Sequence, residues 1–253
     1  MSRARAVLLT RIGVLLGSIL LLEVLCRTGI IDPLTIIPPS QMVAAMVELI
    51  ASGQITDAAT QTFLTVLSAF LLAVALGTLA GTVVHAIPRL RRAIDPLLAS
   101  YYSVPTFIFY PLLVALLGLS MTPLVVLGVI SAAPAVVIST LSGLDHVPQV
   151  LRRVARIQRL GWAGTLWLIV LPAAMPYLFS GFKLALTYSL IGVIAGEFIL
   201  SGNGLGYAIS FAYQSFDNRT MYGLMLFVLL LAVGANGALY VWEGRLARRR
   251  MRT

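Results

Sequence analysis

The sequence predicts an all-α, polytopic membrane protein with about six transmembrane helices, and two observations carry that expectation. The first is composition: 59% of the 253 residues are apolar and only 11% are charged. The second is where the charge sits. From Arg89 onward all the arginines but Arg219 form three knots, Arg89, Arg91 and Arg92, then Arg152, Arg153, Arg156 and Arg159, then Arg245, Arg248, Arg249, Arg250 and Arg252. Long apolar runs separate them. A charge deep in hydrocarbon is costly and cytoplasmic loops collect Arg and Lys, so knots alternating with apolar runs mark membrane spans with the knots inside.

A span needs roughly 20 apolar residues, and that ruler gives the elements in order. The first is Ala6 to Cys26; it resembles a signal sequence, but no small-x-small cleavage site follows, so it is expected to stay as an uncleaved span. Ser40 to Ser52, after Pro38-Pro39, places Met42, Ala45, Met46, Leu49 and Ile50 on one face and reads as a serine-capped amphipathic helix on the outer surface. Phe63 to Val84 is the second span and carries Gly77-Thr-Leu-Ala-Gly81, a small-xxx-small step that lets two helices approach closely. The uncharged stretch from Pro96 to Leu144 holds the third and fourth, Leu97 to Leu117 and Leu124 to Leu144, with a turn at Gly118. Trp162 to Leu200, interrupted by Pro172, Pro176 and Lys183, has room for one span or two. Met221 to Trp242 is the last, and two spans in the preceding stretch would place the C-terminal arginines outside, so one is expected, Tyr177 to Leu200. Fifteen of the seventeen arginines then lie inside, with both termini, leaving Arg27 and Arg219 outside. The chain divides accordingly into 1–58, first span plus outer helix; 59–245, a core with a cytoplasmic segment at 149–172; and 246–253, a basic tail.

Several function classes fall away. The formal charge of +9 is distributed wherever an apolar run stops, beside lipid headgroups, rather than on one phosphate-clasping face, so no nucleic-acid partner is expected. One cysteine, Cys26, excludes an intrachain disulfide framework. No Gly-Lys-Ser or Gly-Lys-Thr follows a glycine-rich turn, since Lys183, the only lysine, lies between Phe182 and Leu184, so this chain holds no ATP-binding P-loop. His85 and His146 end helices and have no second ligand at metal spacing; no metal, catalytic residue or cofactor is expected. A secondary carrier or channel is the rival reading, although carriers bury ionisable coupling residues at mid-membrane and the second, third, fourth and sixth spans have none.

The middle knot points further. It reads Arg153-Val154-Ala155, a polar helical stretch, Gly161-Trp162-Ala163-Gly164, then Ile169-Val170-Leu171-Pro172: a cytoplasmic helix ended by glycines and returned to the membrane through a Leu-Pro turn, hence a stiff lever that wants a socket. Here the chain resembles the integral-membrane permease subunits of bacterial ABC importers, in the nitrate, sulfonate and taurine branch. That family's coupling segment is patterned Glu-Ala-Ala, three residues, Gly, and later Ile-x-Leu-Pro. Aligned on Leu171-Pro172, the Glu falls at Arg153, the two Ala at Val154 and Ala155, and the Gly at Arg159. The resemblance extends through Ile37-Pro38-Pro39-Ser40, Asp95-Pro96-Leu97-Leu98, Ser103-Val104-Pro105, Leu171 to Pro176, and Gly196-Glu197-Phe198 to Gly204-Leu205-Gly206-Tyr207.

What the resemblance implies is a type I (MetI-like) permease in the bacterial inner membrane. Its partners would be a soluble ABC ATPase dimer, a second permease chain, expected as a homodimer, and an extracytoplasmic substrate-binding protein. Arg153, Val154, Ala155, Arg156, Arg159, Gly161, Leu171 and Pro172 are the expected ATPase-coupling residues. Tyr101, Tyr102, Ser103, Pro105 and Glu197, polar groups and a kink at span ends, are the expected pathway residues. The solute would be a nitrate-, sulfonate- or taurine-like anion or a vitamin precursor.

Overall fold

A computed structural model describes residues 3–32, 34–101 and 103–250. Among them eleven α-helices follow one another with no strand: α1 (Arg3–Arg27), α2 (Pro39–Ala51), α3 (Thr56–Ala86), α4 (Pro88–Tyr101), α5 (Tyr110–Leu117), α6 (Met121–Asp145), α7 (Gln149–Ile157), α8 (Trp162–Thr165), α9 (Leu171–Leu200), α10 (Leu205–Gln214) and α11 (Asn218–Arg250). A 3-10 turn at Thr106–Phe109 leads into α5, and a π turn at Leu166–Val170 joins α8 to α9.

Three helices make the core, with α6 between α3 and α9. They are held by small residues rather than by large side chains, because lipid is as apolar as leucine and close packing replaces the hydrophobic effect between helices. Gly77 and Gly81 press α3 onto α6 so closely that an added Cβ would stand 2.7 Å from Val136 Cβ and 2.8 Å from Thr140 Cβ. On the opposite face of α6, Gly181 and Gly192 of α9 lie against Ser139 and Ser131 in the same way. Ala69, Ala73, Ala132, Val136, Ala185 and Val193 fill the seams.

Among the described residues five helices are long and apolar enough to cross a membrane, and the expected third span is the exception. Leu97 to Leu117 is not one helix: α4 and the segment from Thr106 to Leu117 meet at 98°. Pro105 precedes the 3-10 turn and has no N–H to continue α4, so the chain breaks there.

The expected fifth span is longer than read. Residues 162–200 form one apolar helical run of 39 residues, about 58 Å at 1.5 Å per residue, more than the hydrocarbon requires. The Leu171-Pro172 turn is therefore corrected to a continuous helix. Pro172 cannot donate to the carbonyl four residues back and its ring crowds that position; the π turn, closed by Leu171 N–H to Leu166 O, widens the helix just before it.

At the N-terminal side, α2 begins one residue early, with Pro39 at its first turn and no serine cap. Ser40 instead gives its backbone N–H and its hydroxyl to Glu23 at 3.0 and 2.7 Å, so a carboxylate from α1 occupies the positive end of α2. Ala45 and Leu49 of α2 are buried, and an added Cβ on Gly223 of α11 would stand 3.0 Å from Ala45 Cβ. Ile50, read onto the same face, is exposed.

Candidate functional site

At the arginine end of the core, the chain leaves α6 at Asp145 and turns into α7. Arg91 of α4 clamps Asp145 with two parallel bonds of 2.7 and 2.6 Å, and His85 Nδ1 of α3 stands 3.3 Å from the same carboxylate. His146 accepts its place at the end of α6 by stacking on Tyr177 of α9, ring centroids 4.5 Å apart. Four helices are thus tied together at the root of α7.

On α7, Ala155 is buried, while Gln149, Val150, Leu151, Arg153, Val154, Arg156 and Ile157 are exposed. Val150, Val154 and Ile157 recur at the i, i+4, i+7 spacing of one helical face, all three exposed, Ile157 by 80%. Arg153, Arg156 and Arg159 are exposed beside them, and Trp162 follows at 82% exposure. Exposed apolar residues rimmed by charge occur at surfaces that meet a protein or a membrane.

The end of α7 corrects a sequence expectation. Glycines do not terminate it; Arg159 does, at φ +53°. Leu160 N–H reaches Ala155 O at 3.0 Å and Arg159 N–H reaches Arg156 O at 3.1 Å, the paired bonds of a Schellman C-cap with Arg159 in its left-handed position. Gly161 has an ordinary φ of −64° and precedes α8; Leu171 and Pro172 lie in the α9 helix, not in a turn.

At mid-depth, the α4–α5 break lies against the middle of α6. Tyr101 donates its hydroxyl to Ile130 O. That carbonyl is orphaned because Pro134, four residues on and inside α6, has no N–H to give it. Tyr101 is therefore directed into the core and closes a gap in a neighbouring helix. Thr106 pairs with Ser131 of α6 at 2.7 Å. Ser103 and Pro105 are exposed, and Tyr102 lies outside the described residues.

At the end away from the knots, Glu197 is wholly buried, with 0% exposure. Thr62 donates to its two carboxylate oxygens at 2.9 and 2.8 Å, Gly206 N–H donates at 2.9 Å, and Leu205 N–H donates to Thr62 at 2.8 Å. The carboxylate thereby sits at the N-terminus of α10, where a negative group is favoured, and binds α3, α9 and α10 into one knot. Gly204, at φ +103°, leaves no room for a side chain: an added Cβ would lie 2.3 Å from the Glu197 carboxyl carbon. Glu197 is closed off from open space in this chain, which the sequence did not reveal.

Lys183 pairs with Glu243 of α11 at 2.7 Å. The two arginines at the far end are also paired, Arg27 with Glu23 and Arg219 with Glu48. Thr62, Asp145 and Ile130 carry no sequence signal of their own, since their partners lie 135, 54 and 29 residues away. The Val150-Val154-Ile157 stripe did carry one, in its helical spacing.

Helices in glycine contact, five long apolar helices and a bent pair between α3 and α6 define an all-helical polytopic membrane protein, whose sequence holds no P-loop of its own. Residues 73–252 match the binding-protein-dependent transport system inner membrane component family, and the chain belongs to it. It is similar to a protein named as an aliphatic sulfonates transport permease, SsuC, of Bacillus subtilis strain 168, 27% identical over 86% of this chain and 80% of that one. It is also similar to the taurine transport system permease protein TauC of Escherichia coli K12, 28% identical over 72% of this chain and 68% of that one. Its fold matches a chain of the MetNI methionine ABC transporter solved in inward-facing conformations, with TM-score 0.61 at 18% identity, covering 75% of this chain and 92% of that one. The protein is thus a multi-pass permease subunit of an ATP-driven importer, working with an ATPase on a separate subunit and with a substrate-binding protein.

Proposed function

We infer that α7 is the surface on which the ATPase acts, with Val150, Val154 and Ile157 entering its groove, Arg153, Arg156 and Arg159 contacting its rim and Ala155 seating the helix on the permease. The observation that carries this is the exposed apolar stripe rimmed by arginine at the root of the α3–α6–α9 core. Leu171 and Pro172 act in the rigid arm 162–200 that passes the push into the membrane, with Gly161 leaving the connection to α8 open.

The arginine end faces the cytoplasm, by the bias of cytoplasmic loops for Arg, which places both termini there and the α2–α10 end toward the binding protein. Two copies of the chain form the pathway. Irregular backbone at membrane depth is tolerated only where protein or a water-filled cavity covers it, and the exposed Ser103 and Pro105 at the α4–α5 break satisfy that by facing the pathway or the second copy; Tyr102 belongs to the same stretch. Tyr101 and Glu197 act from behind, fixing the helices that form the wall. The solute is a small anion of the sulfonate, taurine or nitrate kind.

Purification of the tagged full chain in mild detergent, with mass spectrometry of its stoichiometric partners, tests this. Recovery of a soluble ATPase that is lost when Ile157 is changed to Asp supports the reading. Recovery of the chain alone, or of an ATPase indifferent to Ile157→Asp, overturns it.

A further inference from the structure

Beside the Glu197 knot, at the end away from the arginines, a cavity of about 240 Å³ opens between four parts of the chain. It is lined by Gln61 of α3, Tyr110 of α5, Leu119, Ser120 and Met121 at the start of α6, and Ser201, Gly202 and Asn203 of the α9–α10 loop. At ~30 Å³ per water it holds about eight waters, room for a solute of a few heavy atoms.

The polar groups of its lining are neutral, and three of them keep a donor that no internal bond among the described residues uses. Tyr110 is 99% buried, at 1% exposure, its ring against Leu124 and Leu127 and 3.5 Å from where Gly196 would carry a Cβ. Its hydroxyl has no hydrogen-bond partner among the described residues, and the residue lines the cavity. The ring is buried while the hydroxyl keeps contact with the cavity, which is where a partner for it would sit. Asn203 uses its Oδ1 to accept Gly204 N–H at 2.7 Å, which leaves its amide N–H₂ free. The side-chain amide of Gln61 likewise has no partner among the described residues. The loop that presents Asn203 is rigid: Ser201 Oγ donates to Asn203 O at 2.7 Å and accepts Asn203 N–H at 3.3 Å. The cavity also meets the start of α6, whose end carries partial positive charge.

Three unspent donors, no charged lining residue and a helix N-terminus suit an oxyanion held without an ion pair. A cation would find only neutral oxygens there, such as the Gln61 carbonyl and the Tyr110 hydroxyl, and no carboxylate in the lining. Holding without a counter-charge is also what passage demands, since a site must bind firmly enough to fill and weakly enough to empty.

We propose that Tyr110, Gln61 and Asn203 form a weak oxyanion station where a solute released at the outer end rests before it enters the pathway. The proposal rests on the importer reading for its role in transport, but its binding claim stands on the cavity alone.

Methanesulfonate is the probe, titrated by calorimetry into the purified full chain in a maltoside detergent and in phosphatidylcholine nanodiscs. Saturable binding is expected in both, weakened about three- to tenfold by Tyr110→Phe and by Gln61→Leu, each a lost hydrogen bond. Asn203→Asp keeps the oxygen that accepts Gly204 N–H while replacing the donor with a negative charge, so it should fold and abolish binding. In the full complex with ATPase and binding protein, the same variants should lower maximal uptake and leave the half-saturating concentration, set by the binding protein, unchanged. Wild-type chain that does not bind methanesulfonate, or binding untouched by the three variants, overturns the station. Binding in detergent that disappears in nanodiscs assigns the cavity to a lipid phosphate and overturns the solute. Failure to recover an ATPase would overturn the importer reading while leaving the titration to decide the site.

Discussion

The Thr62 hydroxyl stands 2.9 and 2.8 Å from the two oxygens of the Glu197 carboxylate and accepts Leu205 N–H at 2.8 Å. One side chain of α3 therefore holds both the end of α9 and the start of α10. Thr62→Val keeps the shape and orphans two buried groups, Leu205 N–H and a carboxylate edge. Interhelical hydrogen bonds in membrane proteins contribute about 0.6 kcal/mol on average and up to about 1.7, so a loss of about 1–2 kcal/mol is expected. Thr62→Ser should lose much less. Thermal unfolding in detergent decides; equal melting of Thr62→Val and wild type would show that the knot does not stabilise the fold.

The same knot makes Gly206 irreplaceable for space alone. A Cβ there would stand 2.4 Å from Ile194 O and 2.7 Å from Glu197 Cβ, both on the rigid α9. Gly206→Ala should cost about 1–3 kcal/mol as overpacking, visible as reduced yield of monodisperse protein and a lower melting temperature. Gly234, with nothing within 4 Å, is the matched control, and Gly234→Ala should melt with wild type.

Tyr101 and Pro134 offer a test of compensation. The proline removes the N–H that Ile130 O would accept, and Tyr101 supplies a hydroxyl instead. Tyr101→Phe is expected to destabilise the wild type by about 1 kcal/mol or more, the penalty of a buried unsatisfied carbonyl. In a Pro134→Ala background, where a helical N–H is restored, the same change should do little. Additive effects in the double variant would break the link between the two residues.

How much of this was legible in the sequence differs by distance along the chain. Local signals read true: the apolar runs located α3, α6 and α11, and Gly77-Thr-Leu-Ala-Gly81 forecast the close α3–α6 contact because small residues four apart share one helix face. The prolines read unevenly: the kink expected at Pro105 is there and sharper than a bent span, while the turn expected at Leu171-Pro172 is helix. Pro105 breaks a span, whereas Pro172 is absorbed by a π turn in an unbroken run, and the sequence context of each does not say which. Residues whose partners lie far along the chain were only partly legible. Glu197 looked like a pathway group because an ionisable residue late in a span is costly unless matched; its match, Thr62, lies in another helix. Lys183 gives no local sign of its partner, because Glu243 is 60 residues away.

Arg159 gives the sharpest separation of folding from coupling. It occupies the left-handed position of the C-cap that ends α7, at φ +53°, where a residue with a Cβ costs roughly 1–2 kcal/mol relative to the right-handed conformation and glycine does not. Arg159→Gly should therefore stabilise the turn, by about 1 kcal/mol, and slow hydrogen exchange at the Leu160 amide that closes the Schellman bond to Ala155 O. The same change deletes a positive charge from the rim of the exposed stripe. If that charge serves the ATPase, affinity for it falls while the turn becomes firmer, and Arg159→Lys, which keeps both the charge and the strain, retains affinity without the gain in protection. A glycine variant that is better protected and binds the ATPase as tightly as wild type would assign Arg159 no part in coupling and leave the contact to Val150, Val154 and Ile157. A glycine variant with unchanged exchange at Leu160 would instead show that the left-handed turn stores no strain.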